Sequence, residues 1–189
     1  MKQDTALLVI DMQNDFIEPD GFLEVPGIKE NAPKFKDFIA KLRKKGILII
    51  YTRHCYDPKK NPIERKLFPE MDENGLRINT SGWQIIESLK PEKDDTIIDK
   101  PRYDAFYKTD LEEVLKSHNI KRVIISGTMT DVCCDSTARS AMIRDLEVIF
   151  CSDLNFCSDE MIQAATLKTI SLNFGQVMSS QEILSHFNS

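Results

Sequence analysis

The chain has 189 residues, of which 29% are charged and 41% hydrophobic, with a formal net charge of -5 and a pI near 5.3. That length suits one domain spanning 1–189 with a sizeable core. The acidic balance, with no basic block or aromatic–basic stripe, excludes nucleic acid and anionic membrane as expected partners.

The first predicted element is the apolar run "ALLVID" (6–11). It meets Asp11 too soon to serve as a signal h-region or a membrane span, so a cytoplasmic protein is expected. In "NAPKFKDFIAKLRKKG" (31–46), Phe35, Phe38, Ile39 and Leu42 fall at i, i+3, i+4 and i+7. This spacing predicts an amphipathic helix, with Gly46 as its C-cap. "ILIIYTR" (47–53) reads as a second strand. The connection 54–82 breaks the rhythm with three prolines, two glycines and many charges. Long connections of this kind are usually functional or disordered. "TIIDK" (96–100), "RVIISG" (122–127), "EVIFCS" (147–152) and "QVMSS" (176–180) read as further strands. Helical patterns at 109–119, 131–146 and 158–174 lie between or after them.

The strands are nearly continuous in apolar character, as expected where both faces are buried. With helices between them they predict a three-layer α/β/α sandwich around a mainly parallel, Rossmann-like sheet of about six strands. Ligands of such sheets bind beyond the carboxyl ends of the strands. Asp11 ends the first strand, Lys100 ends the third, and Cys133 follows the fourth in the first turn of a helix. A cysteine there faces the positive end of the helix dipole, which favours thiolate, and a lysine pushes the same way. A carboxylate nearby can act as general base.

The five cysteines, Cys55, Cys133, Cys134, Cys151 and Cys157, form no CxxC motif and no Cys/His cluster, and free thiols are expected. Cys133 and Cys134 are turned about 100° apart on a helix. Only one of them can face the crevice.

"LLVIDMQNDF", "YTRH", "IIDKPRYDAFYKTDL" and "VIISGTMTDVCCDSTARSAM" together resemble the isochorismatase-like cysteine hydrolases, including the N-carbamoylsarcosine amidase and nicotinamidase types. The likeness covers nearly the whole chain. It implies an Asp11–Lys100–Cys133 triad, with the reactive cysteine third after Thr130, so that Cys134 packs against the sheet. It further implies a cis peptide joining Thr128 to Met129, and an oxyanion hole made by the Met129 and Cys133 N–H groups. The implied reaction is cleavage of a small linear amide or carbamoyl compound through a thioester, with release of ammonia. Gln13, Phe16, Arg53, His54, Trp83, Tyr103 and Phe106 are the pocket candidates, and Arg139 is either an ion-pair residue or a substrate contact.

Nicotinamidases of this family hold a metal with an Asp and two or three histidines after the second strand. "RHCYDPKKNP" offers His54, Cys55 and Asp57 but no D-x-H pattern. No metal and no cofactor are therefore expected, although a nicotinamidase-type amidase stays open. Asp131 is expected to cap its helix while its charge opposes the thiolate. A homodimer or homotetramer is expected. The other open reading is a non-catalytic oligomeric scaffold or thiol sensor. A phosphoryl-transfer site is disfavoured, since Gln13 stands where a second Mg²⁺-binding acid would be needed.

Overall fold

A computed structural model of the protein describes residues 4–57, 62–72 and 75–187. Six strands form one sheet: β1 (Thr5–Ile10), β2 (Leu48–His54), β3 (Thr96–Lys100), β4 (Arg122–Thr128), β5 (Glu147–Phe156) and β6 (Gln176–Met178). Their order is β3-β2-β1-β4-β5-β6, and every neighbouring pair is parallel. The chain therefore winds outward from β1 to β3, crosses back, and winds outward again from β4 to β6. The switch point, where such sheets bind ligands, lies between β1 and β4.

Side chains alternate between two apolar layers, as the period of two along a strand demands. Leu7, Val9, Ile49, Tyr51, Ile124 and Ile149 pack with α2 (Ile28–Lys44) and α7 (Ser180–His186). Ala6, Leu8, Ile10, Ile50, Val123, Ile125 and Phe150 pack with α4 (Leu111–Ser117), α5 (Asp135–Ile143) and α6 (Glu160–Asn173). This is the three-layer sandwich read from the strand and helix patterns.

The helix expected from residue 31 starts at Ile28, so Pro33 lies inside its first turns. It ends as the sequence suggests. Gly46 adopts φ 78°, its N–H donates to Arg43 O, and the Ile47 N–H donates to Leu42 O. That is the bond pattern of a glycine-terminated Schellman cap. The helix expected over 131–146 is two pieces, a wide π-type turn over Thr130–Cys134 and then α5. The expected strand 176–180 stops at Met178, because Ser179 caps α7 in a reciprocal box with Glu182.

Two short helices, α1 (Asn14–Ile17) and α3 (Pro62–Leu67), sit in the connections after β1 and β2. Residues 58–61 and 73–74 of the 54–82 connection, and residues 1–3, lie outside the described residues. Among the described residues no helix is long and apolar enough to cross a membrane.

Gly127 decides how closely β1 and β4 approach. It stands opposite Ile10, and a Cβ built on it would lie 2.1 Å from Ile10 O. Its φ of 136° is also one that side-chain-bearing residues rarely adopt. Any other residue would collide with β1 at the switch point.

Candidate active site

Asp11 leaves β1 in the left-handed conformation, with φ 49°. A non-glycine residue holds that conformation at a cost of about 1–3 kcal/mol, and only where its surroundings fix it. Thr52 of β2 does the fixing. Its hydroxyl accepts from the Asp11 N–H at 3.2 Å and donates to Asp11 Oδ1 at 2.6 Å. The other oxygen, Oδ2, meets Lys100 Nζ at 2.7 Å. β2 lies between β1 and β3, so the lysine stem must span a strand to make this pair. Lys100 Nζ also donates to Arg102 O at 3.1 Å. Asp11 and Lys100 side chains are fully buried. Burial pulls the Lys100 ammonium down, but the Asp11 carboxylate and then Cys133 outweigh it, and the net shift is upward. Lys100 is charged.

Cys133 sits in the π-type turn, directly beyond β4 and a cis Thr128–Met129 peptide. Its Sγ lies 4.0 Å from His54 Nδ1. Ligand atoms of Asp11, His54 and Cys133 all fall within 4.8 Å of one another. Burial raises the Cys133 thiol well above its ordinary value; Lys100 draws it back, and Asp11 pushes it further up. The thiolate favoured by the dipole argument is therefore overridden by desolvation, and the resting group is a thiol beside a formed ion pair. Cys134 shares with Cys133 the apolar layer that holds Ala138 and Ala141, and it is the deeper of the two, at 0% exposed against 3%. Its thiol is raised by burial first.

His54 ends β2 in register with Lys100. Burial, followed by the charges of Lys100 and Arg102, holds its imidazole well below the ordinary value, so it is neutral. Its Nε2 lies 3.8 Å from Glu64 Oε1 of α3, and its ring meets Tyr103 edge-on at 5.7 Å.

A cavity of about 290 Å³ opens onto Cys133. Phe16, Leu23, Phe68, Met71, Leu76, Met129 and Val132 surround it, with His54 and Tyr103 beside the thiol. A roomier groove of about 420 Å³ runs past Lys100, Arg102 and Lys108 but does not reach Cys133.

Of the pocket candidates, Phe16, His54 and Tyr103 line the Cys133 cavity. Gln13 is a tie beneath it. Its amide donates to His54 O and Trp83 O, and its carbonyl accepts from the His54 N–H at 2.8 Å. Arg53 points elsewhere, bonding Asp99 through two nitrogens and stacking 3.7 Å from the centre of the Trp83 ring. Trp83 donates its indole N–H to Cys55 Sγ at 3.0 Å. Phe106 packs in the α4/α5 layer under the Arg144 guanidinium. Arg139 is an ion-pair residue, bonded to Asp135 and lying over Phe174. Asp131 lies inside the π-type turn, and no side chain caps that turn.

Sequence reasoning missed Thr52, Glu64 and most of the apolar lining. Thr52 had a signal, a polar residue at the end of an apolar strand, two before His54 and so on the same face. Met71 and Leu76 had none, since their connection carries no periodicity.

The donor set does not suit a resident metal. Asp11, His54 and Cys133 are close enough to share an ion, but the Lys100 ammonium already occupies the Asp11 carboxylate at 2.7 Å. A cation would have to displace it. Of the other suggested ligands, Cys55 is turned toward Trp83 and the Arg53 carbonyl.

A carboxylate, an ammonium and a thiol buried together at the switch point of a doubly wound sheet define an α/β enzyme layout, with the ligand at the carboxyl ends of the strands. The isochorismatase domain model matches residues 5–182, and the chain belongs to that family. A ureidoacrylate amidohydrolase of Enterobacter sp. (strain 638) is 30% identical over 93% of this chain and 85% of its own length. A cysteine hydrolase from Pseudomonas syringae pv. phaseolicola 1448A superposes with a TM-score of 0.94 at 32% identity, over 99% of this chain and 93% of that one. An N-carbamoylsarcosine amidase from Thermoplasma acidophilum shares the fold, with a TM-score of 0.82 at 23% identity, over 94% of this chain and 96% of that one. Hydrolysis, and in two of the three amide hydrolysis, is the chemistry for which these relatives are named.

Proposed function

We propose that the protein is a cysteine-dependent amidohydrolase that cleaves the C–N bond of a small amide or carbamoyl compound and releases ammonia. The observation that carries this reading is the fully buried Asp11–Lys100 pair beside the Cys133 thiol. Burying two charges costs several kcal/mol per ion before their attraction is counted. Packing alone does not call for such a pair against a thiol at a strand-end crevice.

The steps balance with the groups present. Asp11 takes the Cys133 proton as the sulfur attacks the carbonyl carbon. The C–S bond forms, and the carbonyl electron pair moves to oxygen. The N–H groups of Met129 and Cys133 are assigned to that oxyanion. Lys100 balances the charge on Asp11 throughout. As the intermediate collapses, the C–N bond breaks and Asp11 protonates the departing nitrogen, which leaves as ammonia. Asp11 then takes a proton from water, hydroxide adds to the thioester, and the C–S bond breaks. The sulfur recovers its proton from Asp11. A neutral resting thiol suits this order, because the proton moves during the attack. A homo-oligomer is part of the same proposal, and sedimentation tests it.

Ammonia release from a panel of small amides, followed by intact-mass detection of a covalent acyl adduct, tests the reading. Cys133→Ala should abolish both signals. Ammonia release without any adduct in the wild type, undiminished in Cys133→Ala, would refute the thioester route.

A further inference from the structure

The cavity above Cys133 carries information about the acyl group. Phe16, Leu23, Phe68, Met71, Leu76 and Val132 give it an apolar wall, and no charged side chain of the described residues lines it. Among the described residues, the polar side chains on it besides the thiol are a neutral imidazole and a phenol, His54 and Tyr103. Among the described residues, the two cations near the thiol, Lys100 and Arg102, are committed elsewhere. Lys100 is paired with Asp11, and Arg102 donates to Pro101 O, stands 3.8 Å from Glu64 and lines other cavities. Behind the imidazole stands an acid, the buried Glu64, 3.8 Å from His54 Nε2. A carboxylate on the substrate would thus enter an apolar chamber whose nearest uncommitted neighbour among the described residues is uncharged. An unpaired anion is strongly disfavoured there. At about 290 Å³ the chamber falls at the small end of ligand pockets.

We infer that this site selects small primary amides with an uncharged, apolar acyl group, branched aliphatic or a single ring, and rejects ureido acids and other carboxylate-bearing amides. The inference rests on the amidohydrolase reading and narrows its substrate class. It separates this chain from the relatives named for ureidoacrylate, whose substrate carries a carboxylate.

The test compares kcat/KM for ammonia release from acetamide, isobutyramide, valeramide and benzamide with that from 3-ureidoacrylate and N-carbamoylglycine. The apolar amides should exceed the acids at least a hundredfold. Each added methylene should raise kcat/KM by up to about fourfold until the chamber is filled. Phe68→Arg places a cation at the half-open mouth and should narrow the preference at least tenfold. A preference for the acids overturns the inference while leaving amide hydrolysis standing. An unchanged preference in Phe68→Arg overturns it too. Ammonia from none of the six compounds counts against amide hydrolysis and the substrate class together. A second measurement needs no turnover: the rates at which iodoacetamide and iodoacetate alkylate Cys133, referenced to N-acetylcysteine and controlled with Cys133→Ala. The neutral reagent should gain at least tenfold over its advantage on the free thiol. An equal ratio, or a gain for the anion, shows that the chamber does not reject carboxylates.

Discussion

The polar cluster behind Cys133, a floor beneath the cavity rather than part of its lining, and the cavity's apolar wall are built from different kinds of chain. Asp11, His54 and Lys100 each stand at or next to the end of a strand, and Cys133 follows another within a few residues. Their relative positions come from sheet register, which shifts only if whole strands slip. Phe68, Met71 and Leu76 hang from the connection between β2 and β3. That connection is pinned at a few points, including the Leu76 N–H on Asp15 Oδ2 at 2.5 Å and the pairing of Tyr56 with Arg77. The floor can therefore keep one chemistry while the wall is redrawn for another acyl group. Such a division suits a scaffold shared by relatives named for different substrates.

The adjacent cysteines probe this division most sharply. Cys133→Ala should lower kcat/KM at least about a thousandfold, as loss of a nucleophile does. Cys134→Ala should leave activity within a few-fold and cost about 1–2 kcal/mol of stability for the sulfur removed from the core. Ammonia-release kinetics and urea melts on both variants check this, and an exchange of the two phenotypes would move the floor to the wrong residue.

Stability separates floor from wall next. Lys100→Met strands a buried carboxylate and should cost about 3–5 kcal/mol, while the double variant with Asp11→Asn recovers much of that loss. Phe68→Ala should cost less than about 1 kcal/mol, because Phe68 is 41% exposed. Similar costs for Lys100→Met and Phe68→Ala would erase the contrast. A smaller effect is expected at Thr52. Thr52→Val removes a bond to each end of Asp11 and should cost about 1–2 kcal/mol, with roughly a tenfold loss in kcat. Denaturant midpoints and initial rates measure the two parts.

A further effect, absent at neutral pH, develops on acidification. The folded chain holds His54 neutral, with its value well below the ordinary 6.5, so below pH 6.5 the unfolded chain binds a proton that the folded chain refuses. Stability from this residue is complete above that pH and is lost as pH falls, at up to about 1.4 kcal/mol per pH unit. His54→Asn should flatten that limb in urea melts between pH 6.5 and 5. An unchanged slope would mean that His54 is protonated in the folded state.

The difference between floor and wall also explains what could be read before the fold was known. Strand ends and helix starts leave marks in an apolar pattern, which singled out Asp11, Lys100 and Cys133 as candidates that the structure brings together; their proposed roles come from the family resemblance. The same alternation places Arg53 and His54 on opposite faces of β2, so the two could not have shared one pocket. Tyr103 and Phe106 sit three apart in one loop and part company for a tertiary reason. The Ala105 N–H bonds Thr137 Oγ1, and the Thr109 hydroxyl bonds Ala105 O, which turns Phe106 into the α4/α5 layer. The first of these bonds reaches across 32 residues and leaves no local trace. Arg139 is decided by one local partner, Asp135 a helical turn away, and one distant one, Phe174 arriving from α6's far end.

The missing methyl at Gly127 acts as a clearance gauge for the proposed site. Because the seam it sets carries the acid on one side and the sulfur on the other, a bulkier residue there would wedge open the molecule and unseat its reactive pair in one stroke. Folding and the proposed chemistry are thereby tied to the same gap, since a chain that closes this seam correctly has already set Asp11 beside Cys133.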